Sequence, residues 1–254
     1  LFVNEKGKVV AVVQARMGSS RLPGKVMKTI CDKPVIELML ERLSKSKLID
    51  EIVVATTTLN DDDVIFECAQ NLNYSVFRGS ELDCLDRHYQ VGKKFDAKFV
   101  AKITPDCPFI DPEIVDNVIN YFLKHSDKFD YVSNCHPPSY PDGLDLEIMH
   151  LFTLETAWKN SVDPIEREHT TTHIWKRPEI FRIGNVCMSE EKNLFMTERW
   201  TLDYPEDFEF TKQIYENLYH NGNIFLMDEI LQFLSKRPEI KKINSHLCEY
   251  NSVH

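Results

Sequence analysis

The chain has 254 residues, 43 % of them hydrophobic and 28 % charged, which is enough for one large buried core and leaves little for a second independent domain. Its formal net charge of −10 excludes a protein that coats nucleic acid, because such a surface needs a basic field to displace counterions from phosphates. The cations in this sequence must therefore act locally.

Val9 to Val13 form an unbroken apolar run, the pattern of a strand buried on both faces in a parallel sheet flanked by helices. Such a strand delivers the residues that follow it to a ligand at the sheet's carboxyl edge. Here they include Gly18, Ser19, Ser20 and Gly24, small enough for backbone N–H groups to approach phosphate oxygens, with Arg16, Arg21 and Lys25 as cations. The arginine fork and the mobile lysine charge together suit a polyphosphate better than a single carboxylate. A solvated basic turn is the plain alternative, since neither G-x-x-x-x-G-K-[ST] nor G-x-G-x-x-G is present.

Residues 14–25 resemble the R-x-G-S-x-R-L-P-x-K signature of the cytidylyltransferases that activate sugars as CMP conjugates. That family includes the CMP-sialic acid and CMP-ketodeoxyoctulosonate synthetases, and the resemblance is greatest to its spore coat polysaccharide biosynthesis protein F branch. It implies that Ala15, Arg16, Gly18, Ser19, Arg21 and Lys25 hold the triphosphate of CTP.

Pro34 then opens a helix with Ile36, Met39, Leu40 and Leu43 at helical spacing. Residues 51–57 read as a second buried strand, Asn60 and Asp61 as a cap for a helix carrying Val64, Ile65 and Ala69, and residues 74–77 as a third strand. Strand and helix alternate as in a doubly wound, Rossmann-like, mostly parallel sheet. Residues 78–89 resemble the family stretch that reads nucleobase and ribose, with Arg78 and Ser80 as contacts and Asp83 as a lesser one; capping of the next helix by Ser80 or Asp83 stands beside that reading.

Residues 99–103 form the fourth strand, and Pro105 and Pro108 stiffen the turn after it, so that Asp106 is held at the carboxyl edge. A rigid carboxylate beside a triphosphate suits Mg²⁺, and the resemblance implies a metal ligand at this place. Pro112 starts an amphipathic helix with Val115, Val118, Ile119 and Phe122 on its core face. From residue 131 the pattern changes to a proline-rich turn followed by alternation, with Asp145 and Glu147 on one face and Leu144, Leu146 and Ile148 on the other. Residues 131–186 are expected to form a lobe or flap inserted over the carboxyl edge, within a single 1–254 nucleotidyltransferase domain. The resemblance implies that this lobe contacts the acceptor and makes a homodimer, with Asp142, Asp145, Glu147, Glu166, Arg167 and His169 as acceptor contacts. The apolar content of the lobe, Ile148, Phe152, Trp158, Ile174 and Trp175, argues for the dimer as well.

His169 and His173, four apart, could share a helix face with Glu166 and hold zinc, but the H-E-x-x-H pattern is missing and substrate hydrogen bonding is the better reading. Residues 180–186 suggest an edge strand interrupted by Gly184. Residues 200–208 resemble the family's D-x-P-E-D landmark; Asp203 is there either a helix cap or, paired with Asp106, a second Mg²⁺ ligand, while Glu206 and Asp207 complement the dipole of the helix that follows. A last helix over 227–237 and a tail over 246–254 carry no motif.

No run of about 18 apolar residues could span a membrane, and the amino-terminal residues lack the basic-then-apolar pattern of a secretory leader. Seven scattered cysteines without a C-x-x-C pair suit reduced thiols in the cytoplasm. The expectation is a cytidylyltransferase that moves CMP from CTP to a sugar or sugar-acid hydroxyl and releases pyrophosphate. The rivals are a nucleotidyltransferase using another NTP on a sugar phosphate, disfavoured by the missing G-x-G-x-R loop, and a catalytically silent nucleotide-binding partner.

Overall fold

The computed structural model describes residues 7–189, 192–220 and 222–248. β1 (Val9–Gln14) is apolar on both sides and buried from Val9 through Val13, so it can only run through the middle of a covered sheet. A hairpin of β2 (Thr29–Ile30) and β3 (Lys33–Pro34) leads into α1 (Val35–Leu43), and β4 (Glu51–Thr57), α2 (Asp63–Asn71), β5 (Ser75–Gly79), α3 (Cys84–Lys94), β6 (Phe99–Ile103) and α4 (Pro112–Lys124) continue the alternation. There follow β7 (Tyr131–Ser133), β8 (Glu147–His150), α5 (Leu151–Asn160), α6 (Pro164–Glu168), α7 (Thr172–Trp175), β9 (Ile183–Asn185), α8 (Pro205–Leu218), α9 (Met227–Lys236) and α10 (Pro238–Lys241).

The main sheet has the order β5-β4-β1-β6-β8-β7-β9. β5, β4, β1 and β6 are parallel, so their carboxyl ends share one edge. β8 then runs antiparallel to β6, with Lys102 opposite Glu147, and brings the residues just before it to that same edge. Alternate residues of β1 face two cores. Val9, Ala11 and Val13 pack with α1, α4, α8 and α9, and Val10 and Val12 pack with α3 and α5. The mostly parallel, helix-covered sheet is the Rossmann-like architecture expected.

Some local expectations change. Residues 131–186 do more than overlie the carboxyl edge, because β7, β8 and β9 complete the sheet itself. Leu144, Leu146 and Ile148 are fully buried, as the alternation required. The edge strand near Gly184 shrinks to Ile183–Asn185, where a side chain on Gly184 would meet Val132 and Phe129 at 3.0 to 3.1 Å. His169 and His173 do not share a helix face: α6 ends before His169, and Thr170 takes φ +55° before α7 begins. Asn60 and Asp61 make no side-chain cap, and the working carboxylate of that turn is Asp62. The helix over 227–237 is α9, and residues 249–254 of the tail lie outside the described residues.

Candidate active site

The loop after β1 is tied down from several directions. Ala15 N donates to Ala55 O at 3.0 Å, Gly24 N to Met17 O at 3.1 Å, and Leu22 N to Ser19 Oγ at 3.3 Å. Buried Asp62 accepts from Met17 N at 2.6 Å and, on its other oxygen, from the Thr57 hydroxyl. Gly18, Ser20 and Arg21 are left exposed along the loop. Gly24 adopts φ +66°, which a side chain would strain, and turns the chain so that Lys25 points inward.

Lys25 is the meeting point of three segments distant in sequence. Its Nζ lies 2.8 Å from Asp203 Oδ1, 2.8 Å from the Leu202 carbonyl and 3.3 Å from Asp106 Oδ2. Burial works against the ammonium, but Asp106 and Asp203 outweigh it and hold its pKa above the ordinary lysine value. Burial likewise opposes the charged form of Asp106, and Lys25 with the Thr104 hydroxyl wins, keeping that carboxyl below its usual value. The segment carrying Asp203 is clamped to the turn after β6, since Leu202 N donates to Asp106 O at 2.9 Å.

Asp203 does not cap α8. Asp207 does that work, accepting from the backbone N–H groups of Asp203 and Tyr204, both at 3.0 Å on one oxygen. Arg199 chelates Asp207 with two bonds of 3.0 Å, reaches Asp142 at 3.4 Å and stands 3.8 Å from Asp203. Asn244 adds a bond to Asp207 at 3.0 Å. Asp203 is thereby freed for cations: Arg21 joins Lys25 on the same oxygen, at 2.9 Å. Neither Arg199 nor Asp207 stands out in the sequence as an organiser, because each finds its partners only in the folded chain.

The remaining predicted residues divide. Arg16 reaches Glu168 at 3.2 Å in a half-exposed pair. Arg78 gives its donors to the carbonyls of Thr57 and Leu59 and to Asp63, and Ser80 lends its carbonyl to Arg87. Asp83 is the cap of α3, accepting from Asp86 N, and pairs with Arg167 at 2.7 Å. Arg167 also holds the carbonyls of Trp158 and Ser161, while Glu166 bonds Ser161, His173 and Arg177, so both tie α6 to its neighbours. His169 is exposed at the end of α6.

Asp142, Asp145 and Glu147 do gather at the carboxyl edge. Burial and neighbouring Asp145 push Asp142 well above the usual carboxylate range, against Arg199. Burial, Asp106 and Glu147 push Asp145 up to about 7. Glu147 goes the other way, to about 2, because Lys102 outweighs its burial; Tyr131 donates to its second oxygen. Lys102 was the missed signal, a single lysine inside the apolar run of β6. Cys135, His136 and Glu147 also lie close enough together to ligate a metal, but both oxygens of Glu147 are engaged by Lys102 and Tyr131. All seven cysteines are free thiols. Among the described residues, no helix is long and apolar enough to cross a membrane.

The chain as a whole has counterparts among known proteins. The chain is 37 % identical over 244 residues to an uncharacterised protein of Methanocaldococcus jannaschii, covering 94 % of this chain and 96 % of that one. It is 26 % identical over 236 residues to spore coat polysaccharide biosynthesis protein SpsF of Bacillus subtilis, covering 91 % and 95 %. Its fold matches a cytidylyltransferase from Leptospira borgpetersenii with a TM-score of 0.86 at 32 % identity, over 92 % of this chain and 96 % of that one. The cytidylyltransferase family profile matches residues 10–230. The chain belongs to the cytidylyltransferase family and is a nucleotidyltransferase.

Proposed function

We propose that the enzyme transfers CMP from CTP to a hydroxyl of a sugar or sugar acid destined for a surface polysaccharide or glycan, with Asp106 and Asp203 as the holders of Mg²⁺. The observation that carries this reading is the convergence of both carboxylates, from the end of β6 and the start of α8, on one ammonium. A pair already arranged around a cation fits a divalent one, which takes one or two carboxylates together with phosphate oxygens. When bound, the ion would offset charge on the α-phosphate and lower the pKa of the acceptor hydroxyl.

The chain's own residues do the rest. Arg16, Arg21 and Lys25 would hold the triphosphate and stabilise the departing pyrophosphate, with backbone N–H groups of Gly18 and Ser19 beside them, while Ala15, its N–H spent on the Ala55 carbonyl, would line the start of the loop. Arg16 can turn to phosphate cheaply, because a half-exposed pair such as Arg16 with Glu168 contributes at most about 1 kcal/mol. Arg78 and Ser80 would act by fixing the wall next to the nucleoside. Asp142, Asp145 and Glu147 would face the acceptor, with Glu166, Arg167 and His169 holding the helix behind it. Residues 131–186 would be the acceptor and dimerisation part of a single domain.

The dimer belongs to the same proposal. Of the apolar lobe residues that argue for it in the sequence, Ile148 and Ile174 are buried, Trp158 and Trp175 half-buried and Phe152 exposed. Phe152, Val162 and Ile165 now carry the argument, as exposed apolar side chains on and between α5 and α6. A cytoplasmic location agrees with the free thiols. Pyrophosphate release, measured with each of four NTPs against a panel of sugar acids and amino sugars, tests the reaction. Turnover with CTP and one acceptor class is expected, and turnover on sugar phosphates alone would overturn the acceptor assignment.

A further inference from the structure

Resting on the reading of Asp106 and Asp203 as metal-holding carboxylates, we propose that Lys25 keeps divalent metal out of the nucleotide-free enzyme, so that the ion enters only together with CTP. A lysine ammonium has three protons to donate. Here they are matched by three acceptors, Asp203 Oδ1 and the Leu202 carbonyl at 2.8 Å each and Asp106 Oδ2 at 3.3 Å. The Lys25 side chain is 11 % exposed, so water screens this charge little.

The surroundings reinforce the exclusion. Asp203 Oδ1 also receives Arg21 at 2.9 Å, and Arg199 stands 3.8 Å from Oδ2. A dication placed between the two carboxylates would thus meet the charge of Lys25 at contact distance and those of Arg21 and Arg199 just beyond. Mg²⁺ also demands a nearly octahedral shell of oxygens, which an ammonium lodged between its ligands denies it.

A triphosphate removes both obstacles. Arg21 is 42 % exposed, and Lys25 carries a flexible four-carbon stem on the loop that faces the nucleotide. Phosphate oxygens draw these two cations away from Asp203 and Asp106. The two carboxylates then lose their closest counter-charges and keep only Arg199, held by Asp207 3.8 Å from Asp203 Oδ2, and the metal arriving with the nucleotide would make up the deficit. Lys25 and the metal therefore exchange places on the carboxylates, and the order of addition is written into the site.

The test is Mn²⁺ binding, followed through the electron paramagnetic resonance of the free ion, on the full chain without nucleotide. The wild-type enzyme should leave Mn²⁺ free into the millimolar range. Lys25→Met, which keeps the stem and loses the charge, should bind one ion per chain at least about tenfold more tightly, and adding Asp106→Asn should abolish the gain. Lys25→Gln serves as a second variant, with circular dichroism and melting confirming that each protein is folded. Wild-type binding as tight as that of Lys25→Met, or no gain in either lysine variant, would overturn the exclusion. A separate arm adds a CTP analogue with a methylene between the α- and β-phosphorus atoms. The wild type should then show a protein-bound ternary Mn²⁺ signal that Asp106→Asn loses. A ternary signal unaffected by Asp106→Asn would sink the metal reading, and the exclusion with it, whatever the first arm gives.

Discussion

Asp203 stands one residue before the start of α8's cap, a position where aspartate ordinarily serves the helix, and yet it gives its carboxylate to Lys25 and Arg21. The helix can spare it because Asp207 takes the backbone donors instead. Asp106→Asn and Asp203→Asn should each lower the rate of pyrophosphate release by about a hundredfold, the scale of losing one preorganised electrostatic contact, with the melting temperature little changed. Full activity in Asp203→Asn would return that residue to a structural role. Lys25→Ala should raise the KM for CTP as well as lower kcat, since it meets the triphosphate already in the ground state. Asp62 acts on the same loop from behind. Asp62→Ala leaves Met17 N and the Thr57 hydroxyl without their acceptor, so it should cost about 1–3 kcal/mol of stability in urea denaturation and weaken CTP binding in titration calorimetry.

Two helices show what a buried polar group does to the element that carries it. At the start of α8, Asp207 is fully buried and satisfies Arg199, Asn244 and two backbone donors. Asp207→Ala should cost about 3–5 kcal/mol because Arg199 stays buried without its main partner, whereas exposed Glu206→Ala should stay within about 0.5 kcal/mol. On α3, burial drives the His88 pKa down to about 3, and its Nε2 finds no partner among the described residues. The unfolded chain takes this proton near the ordinary histidine value while the folded chain refuses it until about pH 3. Stability is thus lost as pH falls from about 6.5, by about 2 kcal/mol at pH 5. His88→Gln should flatten that slope in denaturation curves recorded between pH 7 and 5, and an unchanged slope would assign it to other groups. The helices and parallel strands were legible in the sequence because burial on one or two faces writes a period into it. The roles of Asp62, Arg199 and Asp207 were not, because hydrogen bonds to Met17, Asp142 and Asn244 cross 45, 57 and 37 residues of chain. The pairing of β8 with β6 was hidden for the same reason, and with it the meeting of Lys102 and Glu147.

For the molecule as a whole, the sheet divides the labour. Its four parallel strands β5, β4, β1 and β6 end at the edge that carries the cationic loop, and β8, antiparallel to both β6 and β7, brings the acidic residues before it to the same edge. A ligand that binds only the folded protein raises its stability by about 2.7 kcal/mol at a hundredfold excess over Kd. CTP should therefore raise the melting temperature more than ATP, GTP or UTP at equal concentration, and a larger shift with a purine nucleotide would contradict the cytidylyl assignment. Light scattering at micromolar concentration should give the mass of a dimer, and a monomer mass would remove residues 131–186 from that role. The segment before β8 also meets the segment before α8 at Gly143, whose φ of +105° and missing side chain let its backbone lie against Trp200 and Thr201; a Cβ there would come within 2.6 Å of that backbone. Beside it Trp200 N donates to Asp142 O at 2.7 Å, and Asp142 N to Glu198 O at 3.1 Å. In heredity this makes residues 142–143 and 199–201 a single unit. A lineage can alter this seam only by changing both sides together, since a side chain at Gly143 needs the room that the backbone of Trp200 and Thr201 occupies.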